Sequence, residues 1–77
     1  MNNIFHINLG GIPLTIDEDA YSILKAYLLE LHKHFEHADE KEEITDGIEQ
    51  RLGEILSEKG KDDLIVTKDM VEHAIQI

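Results

Sequence analysis

The chain contains no cysteine and no tryptophan, and it has a single proline. The absence of cysteine excludes disulfide bonds and thiolate metal ligands, so packing alone must stabilise the fold. No apolar run approaches the length of about 18 residues that a membrane span requires. The first residues have neither the basic region nor the apolar core of a signal peptide. These absences predict a soluble unit without its own targeting segment.

Basic residues are also scarce, with 7 Lys and Arg against 17 Asp and Glu and a net charge of -10. Because nucleic-acid affinity comes largely from neutralising phosphates with basic side chains, this balance argues against a DNA or RNA partner. Hydrophobic residues nevertheless make up 42% of the 77 residues, which is too many for a disordered chain. We expect residues 1–77 to form one small domain.

Two adjacent glycines, Gly10 and Gly11, separate two apolar runs. A phosphate-binding loop would need a G-x-G-x-x-G pattern or a Gly-Lys-Ser/Thr ending, and neither occurs. A two-residue turn at these glycines predicts antiparallel strands over about 3–9 and 12–16. Apolar residues then face apolar residues on one side of the hairpin, namely Leu9 with Ile12, Ile7 with Leu14 and Phe5 with Ile16.

Pro13 lies in the second predicted strand and lacks the N–H that a strand ladder needs. We therefore expect the second strand to be a closed edge, and a short third strand over 64–66 to pair beside the first strand. If that third strand does not form there, the first strand keeps an open edge, and a homodimer through it is the alternative. The candidate partner-binding residues on the first strand are Ile4, His6 and Asn8.

Three helices are predicted from apolar residues at three- and four-residue spacing. Asp17 is the expected N-cap of the first helix, and Leu28 and Phe35 are expected to lie in the main core. The fold class is therefore α+β, with a hairpin packed against two longer helices and followed by a short C-terminal helix. The predicted helices cover about 18–36, 40–59 and 68–76.

The second predicted helix has several unusual positions. Asp39 and Glu42 form a capping-box pattern at its start. Gly47 and Gly53 lie inside it, where each glycine costs about 1 kcal/mol relative to alanine, so each marks either a close contact or a weak point. Arg51, the only arginine, is expected to pair with a carboxylate, and without such a pair it is a candidate partner-binding residue.

A cluster of histidines and glutamates ends the first predicted helix. His34 and His37 are three residues apart and Glu30 lies one turn before His34, a spacing that can hold a divalent transition metal. A solvated helix end explains the same residues, so we expect no metal or other cofactor, and these three residues remain the metal candidates. No serine or threonine stands in a nucleophile-elbow or triad-like pattern, so we expect no enzymatic activity.

Three segments together resemble a bacterial protein family. The stretches INLGGIPLTIDEDAYSILKAYLLELHKHF, IEQRLGEILSE and VTKDMVEHAI are similar to the N-terminal domain that precedes the membrane segments of phage shock protein C (PspC)-type proteins. The most specific parts are the I-N-L-G-G turn, the I-D-E-D-A-Y helix start and the I-E-x-R-[IL]-x-E pattern. The resemblance implies a cytosolic regulatory or interaction module at the bacterial inner membrane, joined at its C-terminus to a transmembrane region and without catalytic residues.

The expected function is that of a non-catalytic protein-interaction and regulatory module of a PspC-like envelope-stress membrane protein. Its expected partner is another protein, and its membrane attachment is expected only through a segment C-terminal to residue 77. Three alternatives stay open at this point: a His/Glu domain that senses metal or pH, a purely structural spacer, and a small hydrolase. A sensor would melt differently with metal or between about pH 5 and 7, and a hydrolase would need a pocket with convergent polar groups.

Overall fold

The computed structural model describes residues 3–59 and 65–76. Within these residues, two strands are followed by three helices. This order confirms the predicted α+β class, and each element boundary lies close to its prediction. The strands are β1 (Ile4–Leu9) and β2 (Ile12–Asp17), and the helices are α1 (Glu18–His34), α2 (Lys41–Lys59) and α3 (Lys68–Gln76).

The hairpin has the predicted register. β1 and β2 run antiparallel, and Phe5 lies opposite Ile16 as expected. Gly10 and Gly11 form the turn with φ angles of 59° and 89°, a left-handed conformation that glycine adopts without a steric penalty. The face that packs against the core consists of apolar side chains: Phe5, Ile7, Leu9, Ile12, Leu14 and Ile16.

The start of α1 is capped by Asp17. Its side chain accepts a hydrogen bond of 2.8 Å from the Ala20 N–H, which confirms the predicted N-cap. Glu18 and Asp19 follow in the first turn, where negative charge meets the positive end of the helix. One turn further on, Leu24 is fully buried in the core.

The end of α1 differs from the prediction. The helix ends at His34, so Phe35 lies past the last turn as the C-cap. Phe35 is only half-buried and is not part of the core cluster, and its predicted place in the main core is therefore wrong. Leu28 is also half-buried, although it packs against that cluster. Leu31 instead is the buried residue of the last turn.

The start of α2 also differs from the prediction. The first helical hydrogen bond runs from the Ile44 N–H to the Glu40 carbonyl at 3.0 Å. Glu40 therefore occupies the N-cap position, and Asp39 makes no capping hydrogen bond among the described residues. The capping-box pattern is thus one residue out of register with the helix. Thr45 is buried, and its hydroxyl donates a hydrogen bond of 2.8 Å to the Lys41 carbonyl.

The two glycines inside α2 have opposite surroundings. A Cβ on residue 53 would lie 2.5 Å from the Leu9 carbonyl oxygen and 3.2 Å from Ile12 Cδ1, whereas a Cβ on Gly47 would meet no atom within 4 Å. Gly53 therefore marks a close contact between α2 and the hairpin. Gly10 makes a similar contact, since a Cβ added at residue 10 would lie 2.7 Å from the Glu49 carbonyl carbon. The turn end of the hairpin thus packs directly against the backbone of α2.

Val66 pairs with β2 and not with β1. Its N–H donates to the Thr15 carbonyl at 2.8 Å, and its carbonyl accepts from the Asp17 N–H at 3.1 Å, which makes a parallel bridge. The prediction of a third strand beside β1, with a closed edge on β2, is therefore wrong. Pro13 removes a donor only at its own position, and the outward groups further along β2 remain available. Leu64, which was also assigned to this strand, lies outside the described residues.

The core lies between one face of the hairpin and the three helices. α3 contributes Val71 and Ala74, and α2 contributes Leu52 and Leu56. The other face of the hairpin is turned to solvent, since its β1 residues are exposed and its β2 residues are exposed or half-buried. The largest fully buried side chains are Ile16, Leu24, Leu56, Val66 and Val71.

Candidate functional site

The outer edge of β1 is unpaired in the part of the chain that the structure describes. Thr15 and Asp17 direct main-chain groups outward to Val66, so their cross-strand partners in β1 must also direct theirs away from β2. The same orientation recurs at every second residue along the strand. The β1 residues with outward main-chain groups are therefore Ile4, His6 and Asn8.

An apolar groove of about 270 Å³ lies beside this edge, between β1 and α1. Ile7 and Leu9 line it from the strand, and Tyr21, Leu28 and Leu29 line it from the helix. The Leu29 side chain is 65% exposed, so apolar surface remains to be buried there. An extended segment added to β1 would place every second side chain towards this groove. We call the outer edge of β1 and this groove together the edge site.

Contacts at the start of both elements hold α1 beside β1. The Glu18 N–H donates to the Asn3 carbonyl at 2.8 Å, and the Asn3 side-chain amide donates back to the Glu18 carboxylate at 3.0 Å. The rings of Phe5 and Tyr21 lie 5.1 Å apart in a tilted arrangement, within the range of favourable aromatic pairs. The two walls of the groove are therefore a strand and a helix that contact each other directly.

A contact between a histidine and a glutamate, which is an ion pair only when the histidine is protonated, lines the turn end of the groove. His32 Nε2 on α1 lies 3.0 Å from Glu49 Oε2 on α2. The side chains are 55% and 22% exposed, so solvent screens the pair and its energetic contribution is small. Glu49 is the only carboxylate among the described residues that line the groove, and Lys25 is the other charged one. The edge site is therefore poor in charge on a strongly acidic molecule.

The three candidate residues of the first strand meet the edge site through their main chain. Their side chains lie on the solvent-facing side of the hairpin, where Ile4 is 44% exposed. His6 Nδ1 lies 3.1 Å from the Thr15 hydroxyl. The Asn8 side-chain oxygen accepts a hydrogen bond of 3.0 Å from the Gly11 N–H, which supports the turn.

Arg51, the fourth candidate, does not line the edge site. It is exposed, and no carboxylate among the described residues lies within ion-pair distance of it. The predicted ion pair is thus absent among the described carboxylates, Glu54 included, and Arg51 stays a candidate partner-binding residue. Arg51 lies instead in a second groove of about 520 Å³, with Tyr27 of α1, Ile48 of α2 and Ile75 of α3.

The metal candidates do not form a site in the described residues. No group of three or more His, Asp or Glu side chains there could hold a metal ion. Glu30 is exposed on α1. His34 stacks edge-on against the ring of Phe35 at 4.8 Å, and His37 lies 3.5 Å from the carboxylate of its neighbour Glu36.

Sequence reasoning missed two components of the edge site. Leu29 was not assigned to the core stripe of the first helix, and a leucine outside that stripe was the available signal for an apolar surface residue. The His32–Glu49 pair joins residues on two different helices, and spacing along one helix carries no information about such a pair.

Comparison of the chain with known protein families, with curated proteins and with solved structures finds no match. Among the described residues, no helix combines the length and the apolar character that crossing a bilayer requires. The edge site is therefore the feature of the described chain that indicates a function.

Proposed function

We propose that this chain is a non-catalytic protein-interaction module whose edge site accepts an extended segment of a partner as an added strand. The observation that carries the proposal is the unpaired outer edge of β1 beside an apolar groove. Added strands gain affinity from main-chain hydrogen bonds and specificity from alternate side chains in neighbouring pockets. β1 offers free main-chain groups for the hydrogen bonds, and the groove offers a place for alternate side chains.

The position of the edge supports this function. Long, uncovered strand edges favour association, and proteins usually cover or charge them. β1 contains no Lys, Asp, Glu or Pro along Ile4–Leu9, whereas β2 contains Pro13 and also pairs with Val66. Within residues 3–59 and 65–76 one edge of the hairpin is thus protected, and a binding role explains why the other edge has no protection there.

A selection of displayed, extended peptides against the isolated chain tests the function. Binders should shift the NMR amide signals of Ile4, His6 and Asn8. Leu29→Glu places a charge in the groove and should weaken binding at least about tenfold, because a buried charge is costly. Ala26→Glu adds the same charge on an exposed position of the same helix outside the groove, and should leave binding within about twofold of the wild type. Binders that map elsewhere, or equal effects of both variants, would contradict the proposal.

We also propose a wider setting, in which this module regulates a membrane-anchored envelope-stress protein of the PspC type. This part is supported by the resemblance of the INLGGIPLTIDEDAY and IEQRLGE segments alone. Fusing a reporter to the module in the full-length gene product tests it. A cytoplasmic location and release from membranes only by detergent are expected, and a freely soluble product would contradict the setting.

A second candidate function is pH sensing, which the His32–Glu49 contact favours because it joins α1 to α2 beside the edge site. Histidine is in general the side chain whose charge changes near neutral pH, and its charged form pairs with carboxylates. Peptide binding measured between about pH 5.5 and 8 tests this function. A pH dependence that His32→Gln removes supports sensing, and an unchanged affinity across this range contradicts it.

A further inference from the structure

The edge site has the features needed to pair with itself, and we propose that its occupant is β1 of a second copy of this chain, running antiparallel. This inference rests on the proposed function, because it names the partner strand at the same edge. The result would be a two-fold dimer with one continuous four-stranded sheet in the order β2, β1, β1 of the partner copy and β2 of the partner copy.

The register of this pairing follows from the outward groups of β1. If His6 lies opposite His6 of the second copy, Ile4 lies opposite Asn8 on both sides of the two-fold axis. All three residues direct their N–H and C=O groups outward, so about six main-chain hydrogen bonds form across the axis. No other register of two such strands pairs all three positions at once.

The apolar face of the strand fits the same register. Phe5 then lies opposite Ile7 of the second copy, on the face that carries the groove. Aromatic residues opposite β-branched residues are favourable cross-strand pairs. Both side chains are only half-buried in the single chain, so the pairing buries apolar area that is now in contact with water. The two α1 helices lie on this same face of the sheet, and Leu29 approaches the second copy there.

Charge favours this occupant over a basic segment. The chain has a net charge of -10, yet β1 has no carboxylate, and the single carboxylate in the groove, Glu49, is paired with His32. A basic strand would find only Glu49 as an acidic partner among the described residues of the edge site, and His32 already contacts it, whereas β1 itself brings no carboxylate against the edge. Two copies still repel each other at a distance, so higher salt should strengthen the dimer by screening that repulsion.

The size of the interface predicts weak association. A ladder of six-residue strands with flanking groove contacts falls at the low end of specific interfaces. We expect a dissociation constant between about 10 µM and 1 mM. Sedimentation equilibrium over this concentration range, at low and high salt, measures it directly.

Amide exchange by NMR identifies the surface. Residues 5, 7 and 9 donate to β2 and should exchange slowly at every concentration, whereas residues 4, 6 and 8 should become slow only as the protein concentration rises. A dimer in which residues 4, 6 and 8 stay unprotected, or a chain that remains monomeric at about 1 mM, would overturn the proposal.

Matched lysine variants complete the test. His6 and Thr15 are cross-strand partners joined by the same side-chain contact, so His6→Lys and Thr15→Lys lose the same bond and add the same charge. Only the first places like charges directly opposite each other in the dimer, so it should raise the dissociation constant about fivefold, and Thr15→Lys should not raise it. Equal weakening would overturn the proposal. If the chain is monomeric but selected peptides still bind the edge, only the self-pairing fails, and the proposed function stands.

Discussion

The α-carbon of Gly53 lies so close to Leu9 that a β-carbon at residue 53 would sit 2.5 Å from the Leu9 carbonyl oxygen. No real side chain tolerates that separation without movement of the backbone on one side. This contact sets the distance between α2 and the turn end of the hairpin. Because Glu49 of α2 lines the groove, the same contact also fixes the position of α2 at that end of the edge site.

Alanine substitution at the two glycines of α2 should have opposite effects. Gly53→Ala should lower the free energy of unfolding by about 1–3 kcal/mol, because the new methyl group clashes with backbone. Gly47→Ala should raise it by about 0.5–1 kcal/mol, because the site is open and alanine favours helix. Urea unfolding of both variants measures the difference. A stabilised Gly53→Ala protein would show that α2 and the hairpin are further apart than described.

Truncation of Leu24 in α1 and of Phe35 just past its end should lower the free energy of unfolding by clearly different amounts. Leu24→Ala should lower the free energy of unfolding by about 2–5 kcal/mol, because Leu24 is fully buried. Phe35→Ala should cost less than half as much, because Phe35 is half-buried at the helix end. The same urea titrations apply, and a larger loss at Phe35 would place that ring in the core after all.

The N-cap of α1 should depend on the acceptor oxygen of residue 17. Asp17→Ala removes the acceptor of the Ala20 N–H and should cost about 1 kcal/mol. Asp17→Asn keeps an acceptor oxygen at the same place and should retain most of that stability. Thermal unfolding of the two variants compares them, and equal losses would show that the charge of Asp17, and not its hydrogen bond, supports the helix.

The contact between His32 and Glu49 should be weak and sensitive to salt. A double-mutant cycle with alanine at both positions should give a coupling of less than about 1 kcal/mol that falls as salt is added. His37 and Glu36 are 3.5 Å apart and much more exposed, so the same cycle there should give no measurable coupling and serves as the control. A strong, salt-independent coupling at His32 would contradict the partly exposed geometry.

The hairpin could be predicted from sequence because its signals are local. Gly10 and Gly11 allow the turn, and the two-residue period of the flanking apolar residues permits only one register. The helices were predicted for the same reason, from their own periodicity. The side of the sheet on which Val66 pairs could not be predicted, because it depends on which outward groups of β2 remain free after the whole chain has packed.

The edge site was predicted only in part. The open edge of the first strand was an alternative interpretation of the position of Pro13, and the structure favours it because Val66 pairs on the opposite side. The groove itself was not predicted. It lies between β1 and α1, and the way in which a helix packs beside a strand leaves no periodic pattern in the sequence.

The bridge between Ile16 and Val66 has a consequence for the order of folding. These residues are separated by α1 and α2, so their contact closes a long loop and carries a correspondingly large entropy cost. The hairpin turn and the helices form from nearby residues and do not carry this cost. We expect the bridge to form last, and because both of its residues are fully buried, neither half of the chain should fold cooperatively without the other.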